Sequence, residues 1–280
     1  MGTTTWLCGR FELRFERPLV MGIVNVTRDS FSDGALYFET DAAIAHAQAL
    51  IAEGADIVDI GAESTRPGAD AIPADEELRR LLPVIEALRD SGVPLSVDTF
   101  KPEVMRAVLG AGADIINDIY GFRQPGAIDA VAQSRCGLCV MHMQGEPRTM
   151  QQAPKYNDVL QDVKQFLQER LDAMLRCGIQ PRRIVLDPGF GFGKTHPQNY
   201  LLLQHLAQVR IAGYPLLLGL SRKSMIGHIT GRPAPERVAG SLAAALAGIA
   251  RGAEIVRVHD VSATVDAIKV WQAIEHGVSL

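Results

Sequence analysis

Eight short apolar runs recur along the 280-residue chain, and they constrain its fold more than any other feature. Each run is nearly continuous, rich in branched aliphatic residues and too short for a helix. Such runs are typical of strands that are buried on both faces, as in parallel sheets. We therefore predict eight strands, at residues 19–26, 55–62, 94–99, 113–119, 138–143, 183–189, 215–221 and 254–260.

Most of these runs are separated by stretches in which apolar residues have helical spacing. The stretch 101–112 has proline at its start and glycine at its end, as a helix often does. Repeated strand–helix alternation predicts an α/β fold, a TIM (β/α)8 barrel of parallel strands with outer helices. We expect one domain over residues 1–280, and an open doubly wound sheet is the alternative.

Two local patterns complete the expected fold. Residues 8–15 alternate between apolar and polar side chains in the manner of a β-hairpin, which we expect to plug the lower end of the barrel. We expect Asp41, Asp75 and Ser262 to cap helices, and we assign them no chemistry.

Composition excludes several classes of function. The formal net charge is −4, so the chain lacks the basic footprint of a nucleic-acid-binding protein. No apolar run approaches the roughly 20 residues of a membrane span, and residues 1–18 lack the apolar core of a signal peptide. We expect a cytoplasmic protein that binds neither nucleic acid nor membrane.

The cysteines favour packing over chemistry. Cys136 and Cys139 form a C-x-x-C pair, which is compatible with zinc binding or redox work. No second pair completes a tetrahedral zinc site, and Cys139 lies within an apolar run. We therefore interpret Cys139 as a core residue.

The stretch LDPGFGFGKT, residues 186–195, resembles a nucleotide phosphate loop without being one. The phosphate loop needs a glycine five residues before its Gly-Lys pair, and here that position is Pro188, which has no N–H to offer. The dinucleotide fingerprint also fails, because a third glycine comes one residue too early. Asp187 therefore needs another explanation.

Polar side chains lie near the end of every predicted strand, where barrel enzymes carry their chemistry. Asp98, Asn117, Asp187 and Lys223 would converge on the barrel mouth. Two acids, one amide and one amine suit a flat heterocycle with an amino-amidine edge, since a carboxylate accepts two parallel N–H bonds. The alternative is a buried ion pair of Lys223 with Asp98 or Asp187.

A second group of side chains suits an anion. Arg257 and His259 are two residues apart on the last strand, so they face the same way, and both can donate to phosphate. Arg66 follows the second strand in a loop that carries Pro67. Asn25 and Asp33 offer hard oxygen ligands, which together with phosphate favour Mg²⁺.

Eight motifs together resemble the dihydropteroate synthases, in order and over nearly the whole chain. The motifs are MGIVNVTRDSFSDG (21–34), DIGAESTRPGA (59–69), SVDTFKP (96–102), INDIYGF (116–122), MHMQGEPRTMQ (141–151), LDPGFGFGKT (186–195), GLSRKSMIG (219–227) and RVHDV (257–261). The resemblance implies a homodimeric transferase of folate biosynthesis and a sulfonamide target. Its reaction joins 4-aminobenzoate to 6-hydroxymethyl-7,8-dihydropterin pyrophosphate and releases pyrophosphate by a dissociative mechanism.

The resemblance also implies a role for each site residue. The pterin would be held by Asp98, Asn117, Asp187 and Lys223, with Met141 packed on its ring. The diphosphate would be held by Asn25, Arg257 and His259, with Asn25 and Asp33 on Mg²⁺. The aminobenzoate side would be formed by Phe31, Thr65, Arg66, Pro67, Phe192 and Ser221. The catalytic residues would be Asn25, Asp98, Lys223, Arg257 and His259.

The chain departs from the usual family wording at Arg28, Ala35, Ala62 and Tyr120, and none of these removes an implied ligand. Arg28 replaces a proline in the first loop, which bears on loop closure. Two other functions stay open. One is a catalytically silent paralogue that binds pterin, and the other is a methyltetrahydrofolate–corrinoid methyltransferase domain, which would have no diphosphate to hold.

Overall fold

The structure is a computed structural model that describes residues 5–26, 33–63, 72–146 and 149–277. Eight parallel strands form one sheet in which β3 to β8 follow each other as neighbours, while β10 lies on the other side of β3 and β9 lies beside β10. A bridge between Leu186 and Leu216 joins the two edges. The strands are β3 Leu19–Asn25, β4 Ile57–Gly61, β5 Leu95–Asp98, β6 Ile115–Asp118, β7 Gly137–Met141, β8 Ile184–Asp187, β9 Leu217–Leu218 and β10 Ile255–Val258.

The predicted TIM barrel is therefore confirmed, and the open doubly wound sheet is wrong. Helices surround the barrel and bury their apolar faces against the outward-facing strand residues, such as Val58, Ile116 and Leu186. The helices are α1 Asp33–Ala52, α2 Ala74–Leu88, α3 Pro102–Ala111, α4 Ala127–Ala132, α5 Val159–Arg176, α6 His196–Gln204, α7 Leu206–Val209, α8 Ser224–Thr230, α9 Val238–Ile249 and α10 Val261–His276. None of the helices in the described ranges is both long and apolar enough to cross a membrane.

The N-terminal hairpin closes the lower end of the barrel, as predicted. Strands β1 (Thr5–Cys8) and β2 (Phe11–Arg14) pair antiparallel. Trp6 is fully buried among the inward-facing residues at the start of the barrel strands, and its indole N–H donates to the Arg183 carbonyl at 2.8 Å. Cys139 belongs to this same apolar layer, which agrees with its interpretation as a core residue.

The three expected helix caps are wrong. Helix α1 begins at Asp33, so Asp41 lies inside it. Pro73 and Asp260 hold the cap positions of α2 and α10, which leaves Asp75 and Ser262 in the first turns. An acid in a first turn still stabilises a helix through the helix dipole, and this produces the same sequence signal as a cap.

Candidate active site

A buried carboxylate, Asp59 on β4, organises the mouth of the barrel. It is inaccessible to solvent and accepts hydrogen bonds from Ser96 Oγ at 2.5 Å, Asn117 Nδ2 at 3.2 Å and Arg257 Nε at 2.5 Å. These donors come from three other strands. Because parallel strands all end at one edge, residues far apart in sequence meet here.

Arg257 joins Asp59 to Asp98. Its Nη2 donates to Asp98 Oδ2 at 3.0 Å, so the ion pair that Asp98 makes is with Arg257, and the alternative pairing of Asp98 with Lys223 is wrong. Burial raises the pKa of Asp98 to about 7, an effect that Arg257 opposes and Asp59 reinforces. The pKa of Arg257 is raised by the two carboxylates, although burial acts to lower it.

Asn117 on β6 keeps an unused acceptor. Its Nδ2 bonds Asp59, but its Oδ1 is buried and has no hydrogen-bond partner within the described part of the chain. A buried polar atom without a partner costs about 1–3 kcal/mol. Such an atom at a barrel mouth points to a ligand that donates a hydrogen bond.

Asp187 and Lys223 lie on the opposite side of the mouth. Asp187 ends β8 and accepts from the Gly189 backbone N–H through Oδ1 at 2.7 Å. Burial raises the pKa of Asp187 to about 6, against the effects of that hydrogen bond and of Lys223. The Lys223 ammonium lies 4.3 Å from the centroid of the Phe192 ring, and burial lowers the pKa of Lys223 to about 8.

The alternating glycines after Asp187 serve close backbone packing. Gly189, Gly191 and Gly193 all have positive φ, at 70°, 79° and 66°. A side chain at Gly189 would reach within 1.8 Å of the His142 carbonyl oxygen, and one at Gly193 within 2.5 Å of the Gln144 carbonyl oxygen. Residues 188–193, which we call the glycine loop, thus lie directly on the backbone that follows β7.

The last two residues of the stretch that resembles a phosphate loop, Lys194 and Thr195, also have structural roles. Thr195 caps helix α6, where its side chain and that of Gln198 form a reciprocal capping box. Lys194 is 1 % exposed and therefore does not reach solvent. The likeness to a phosphate loop comes from glycines that pack on backbone and a threonine that caps a helix.

An apolar cluster borders the polar mouth. Met141, at the end of β7, and Phe192, in the glycine loop, are both buried. They pack with Ile119, Met143 and Met150, and the partly buried Phe100 and Tyr120 flank this group. Tyr120, one of the departures from the family wording, packs against Phe100 in a tilted arrangement, with ring centroids 4.6 Å apart and an angle of 42° between the ring planes. The cluster gives the mouth one apolar wall.

His259 and Ser221 form a contact on the rim. Ser221 Oγ lies 3.0 Å from His259 Nδ1 and accepts the His259 backbone N–H at 3.2 Å. Burial lowers the pKa of His259 to about 4, helped by the charges of Arg222 and Arg257, so the imidazole is neutral at physiological pH. Asn25 ends β3 and is exposed.

Several predicted site residues lie outside the described residues. Phe31, Thr65, Arg66 and Pro67 belong to this group, as does Arg28. Asp33 is the first residue of α1, and its side chain also lies outside the described part.

Sequence reasoning missed the central role of Asp59 and gave no role to Ser96. Asp59 lies inside its strand, and Ser96 is a small residue within an apolar run. One signal in the sequence could have found them. Asp59 and Ser96 each lie two residues before a strand end, at Gly61 and Asp98, and residues two apart on a strand face the same way.

Comparison with known proteins agrees with this geometry. A family model described as pterin binding enzyme matches residues 21–259. The dihydropteroate synthase of Neisseria meningitidis serogroup B is 51 % identical, over 98 % of this chain and 99 % of that protein. The crystal structure of Burkholderia cenocepacia dihydropteroate synthase complexed with 7,8-dihydropteroate is 55 % identical, covers 98 % of each chain and has a TM-score of 0.90. A Xanthomonas albilineans structure of the same enzyme with 4-aminobenzoic acid is 54 % identical, covers 98 % of this chain and 99 % of that one, and has a TM-score of 0.91.

The mouth of the barrel gathers buried carboxylates, an amide and two cations, and the matched residues 21–259 run from the first barrel strand to the end of the last. Together these findings define a pterin-binding enzyme. Within that class, the chain belongs to the dihydropteroate synthase family.

Proposed function

We propose that the chain condenses 6-hydroxymethyl-7,8-dihydropterin pyrophosphate with 4-aminobenzoate to give 7,8-dihydropteroate and pyrophosphate. The observation that carries this proposal is the buried Asn117 Oδ1, which has no partner among the described residues and lies in a mouth lined by Asp98 and Asp187. A pterin edge supplies the N–H donors that these three acceptors require. Relatives solved with 7,8-dihydropteroate and with 4-aminobenzoic acid support it.

The pterin would lie among the buried groups of the mouth. Asp187 accepts from the amino-amidine edge, Asn117 serves a ring nitrogen and the amino group, and Lys223 donates to the carbonyl oxygen. Met141, which is 4 % exposed, packs on the ring. Asp98 lies next to the cationic Arg257 and would ease positive charge on the ring as the leaving group departs.

The reaction needs charge stabilisation more than a nucleophile. Pyrophosphate leaves first, the pterin methylene becomes a delocalised cation, and the aminobenzoate amine attacks it. Arg257 and His259 donate to the leaving diphosphate, and Asn25 adds a further polar contact. The neutral His259 ring can donate one N–H to an oxygen of the diphosphate.

Magnesium fits the donors present. The ion prefers hard oxygens and usually takes one or two protein ligands together with phosphate and water. Asn25 offers an exposed amide oxygen at the end of β3, and Asp33 would be the second ligand. When bound, Mg²⁺ supplies positive charge to the diphosphate.

The aminobenzoate side would combine loop and strand residues. Phe192 is buried beside the mouth and Ser221 lies on the rim. Phe31, Thr65, Arg66 and Pro67 come from the loops after the first two barrel strands and would complete this side. The proposal extends to a cytoplasmic homodimer that is a sulfonamide target. Light scattering would test the homodimer, and inhibition by a sulfonamide would test the drug target.

Pyrophosphate release separates this function from its rivals. A coupled assay with both substrates should detect one pyrophosphate per dihydropteroate formed. A methyltetrahydrofolate–corrinoid methyltransferase would release none, and a silent paralogue would bind pterin without turnover. Complementation of a strain that lacks the synthase gives an independent readout, since the silent paralogue would fail there as well.

The Asp187→Asn variant tests the pocket. Asparagine keeps the shape but cannot accept two hydrogen bonds as an anion, and bonds to a charged group contribute about 1.5–3 kcal/mol each. We expect pterin affinity to fall by about 100-fold or more in calorimetry. Asp114→Asn is the control, because Asp114 is equally buried but pairs with Arg10 at the lower end of β6. Unchanged affinity in Asp187→Asn would remove this residue from the pocket.

A further inference from the structure

Lys194, the lysine of the stretch that resembles a phosphate loop, points into the protein. Lys194 Nζ donates to the Gly189 carbonyl at 2.7 Å and to the Phe192 carbonyl at 3.2 Å, and it lies 2.9 Å from His142 Nδ1. Two of these partners are backbone oxygens of the glycine loop, and the third is a side chain at the end of β7. One ammonium therefore fixes both ends of the loop against the neighbouring strand.

The donors and acceptors at Lys194 match one for one. Burial holds the pKa of His142 well below its usual range, and the charge of Lys194 adds to this, so the ring is neutral and its Nδ1 can accept. An ammonium has three donors, which equals the number of acceptors around it. Burial lowers the pKa of Lys194 to about 7, while the nearby Asp187 favours its charged form, so the ammonium with three donors is the main form below about pH 7. Above that pH the neutral amine still has two N–H donors for the two loop carbonyls.

The glycine loop carries this constraint to the two sides of the pterin pocket. Gly189, whose carbonyl accepts from Lys194, uses its N–H to hold Asp187 Oδ1 at 2.7 Å. Phe192, whose carbonyl also accepts from Lys194, places its ring 4.3 Å from Lys223 Nζ. Both proposed pterin ligands thus contact residues whose backbone Lys194 fixes.

A direct chemical role does not suit Lys194. Its side chain is 1 % exposed, and all three of its hydrogen-bonding positions are used by protein groups. A nucleophile, a proton donor or a phosphate ligand would need at least one position facing the substrate.

We infer that Lys194 is a positioning residue, which sets the glycine loop so that Asp187 and Lys223 keep the geometry that binds the pterin. The inference rests on the proposed function. Its physical basis is preorganisation: a side chain that holds a loop fixed before the ligand arrives removes an ordering cost from binding.

Lys194→Met tests this by keeping the length of the side chain and removing its donors. We expect kcat/KM to fall by about 100-fold, a loss typical of misplaced binding groups, with a weaker Kd for the dihydropterin pyrophosphate and a raised KM for 4-aminobenzoate. The matched control is Arg183→Met. Arg183 is also a buried cation that donates to backbone carbonyls, those of Cys136 at 2.8 Å and Val131 at 2.9 Å, but it precedes β8 whereas Lys194 follows it.

Both variants should unfold at lower temperature than the wild type, and only Lys194→Met should lose affinity for the pterin when both are assayed fully folded. Lys194→Gln supplies the second measurement, because its amide donates to both loop carbonyls without a charge and should recover part of the affinity. If the methionine variant does not fold, Lys194→Gln is compared with Arg183→Met instead; it should still bind the dihydropterin pyrophosphate more weakly than that control, and equal Kd values would overturn the positioning role.

Two failures can be told apart. A wild type that neither binds the dihydropterin pyrophosphate nor turns it over would overturn the proposed function. A wild type that does both, alongside a Lys194→Met variant whose Kd and KM equal those of Arg183→Met, would overturn the positioning role alone.

Discussion

The two ends of the barrel are built from the same strands but enclose opposite kinds of side chain. At the lower end, which we call the floor, inward-facing Ile57, Ile115 and Val185 pack around Trp6. Two residues further along the same strands, Asp59, Asn117 and Asp187 face inward at the mouth. Strand alternation points residues i and i+2 to the same face, so one step along each strand exchanges an apolar layer for a polar one.

This difference separates stability from function. The floor buries apolar surface, which stabilises the fold by about 25 cal/mol per Å². The mouth buries ionisable groups instead, and burial raises the pKa of both Asp98 and Asp187. A site that keeps carboxylates away from water is held ready for a ligand at a cost in stability. Variants at the floor should therefore change the free energy of unfolding, whereas variants at the mouth should change pterin affinity and kcat/KM.

Trp6→Ala should give the largest effect and should act on stability alone. Removing a fully buried aromatic side chain costs about 3–5 kcal/mol, and the hydrogen bond from the indole to Arg183 is lost as well. Chemical denaturation measures the loss, and calorimetry at a temperature where the variant is folded should give the wild-type pterin affinity. A large loss of affinity would show that floor and mouth are energetically coupled.

Asp59→Asn, at the mouth, should reduce catalysis more than stability. The change weakens charged hydrogen bonds from Arg257 and Ser96, each of which contributes about 1.5–3 kcal/mol, and it loosens the position of Arg257. We expect kcat/KM to fall by about 10- to 100-fold. Only part of that energy is lost, because asparagine keeps one acceptor oxygen and Asp98 still pairs with Arg257, so the effect on unfolding should be smaller than that of Trp6→Ala.

Ile57→Val is the control for Asp59→Asn, since Ile57 occupies the same face of β4 two residues earlier. It should lower stability by about 0.5–1.5 kcal/mol and leave kcat/KM unchanged. If both variants reduced kcat/KM equally, β4 would transmit any disturbance to the site and the contrast between the ends would fail.

The layered barrel could largely be predicted from sequence, because apolar runs and their polar ends are local patterns. Asp98, Asn117 and Asp187 stand at strand ends that the pattern alone located. The pairing among them could not be predicted. Arg257 bonds Asp59 across 198 positions of sequence, and a strand end fixes which groups meet at the mouth without fixing their partners.

Two further features could not be predicted, for physical reasons. Helix α1 begins eight residues before the expected cap at Asp41, at an Asp33–Gly34 pair that is more typical of a turn, since glycine inside a helix costs about 1 kcal/mol. The second feature is the set of alternating glycines after Asp187, for which the sequence offers no local reason. Glycine is needed there because the backbone packs against the His142 and Gln144 carbonyls. These two residues follow another strand, so the sequence around residue 189 does not reveal the contact.

The pH dependence of pterin binding should give the smallest effect, and it distinguishes the mouth from the floor without any mutation. Asp187 has a pKa of about 6 in the folded chain, above its ordinary value of 3.8, and it must be ionised to accept two N–H bonds. Pterin affinity should therefore be about tenfold lower at pH 5 than at pH 7, and Asp187→Asn should lose this component.

The stability contributed by Asp187 has the opposite slope: it is fully present below pH 3.8 and falls as the pH rises to about 6, since the folded state holds the proton more tightly than the unfolded chain. The stability difference between wild type and Asp187→Asn isolates this contribution, and it should move in the opposite direction to the wild-type pterin affinity between pH 4 and 6, while Trp6→Ala should lower stability without changing the pH dependence of the affinity. Parallel slopes would mean that Asp187 is not the group that titrates in the pocket.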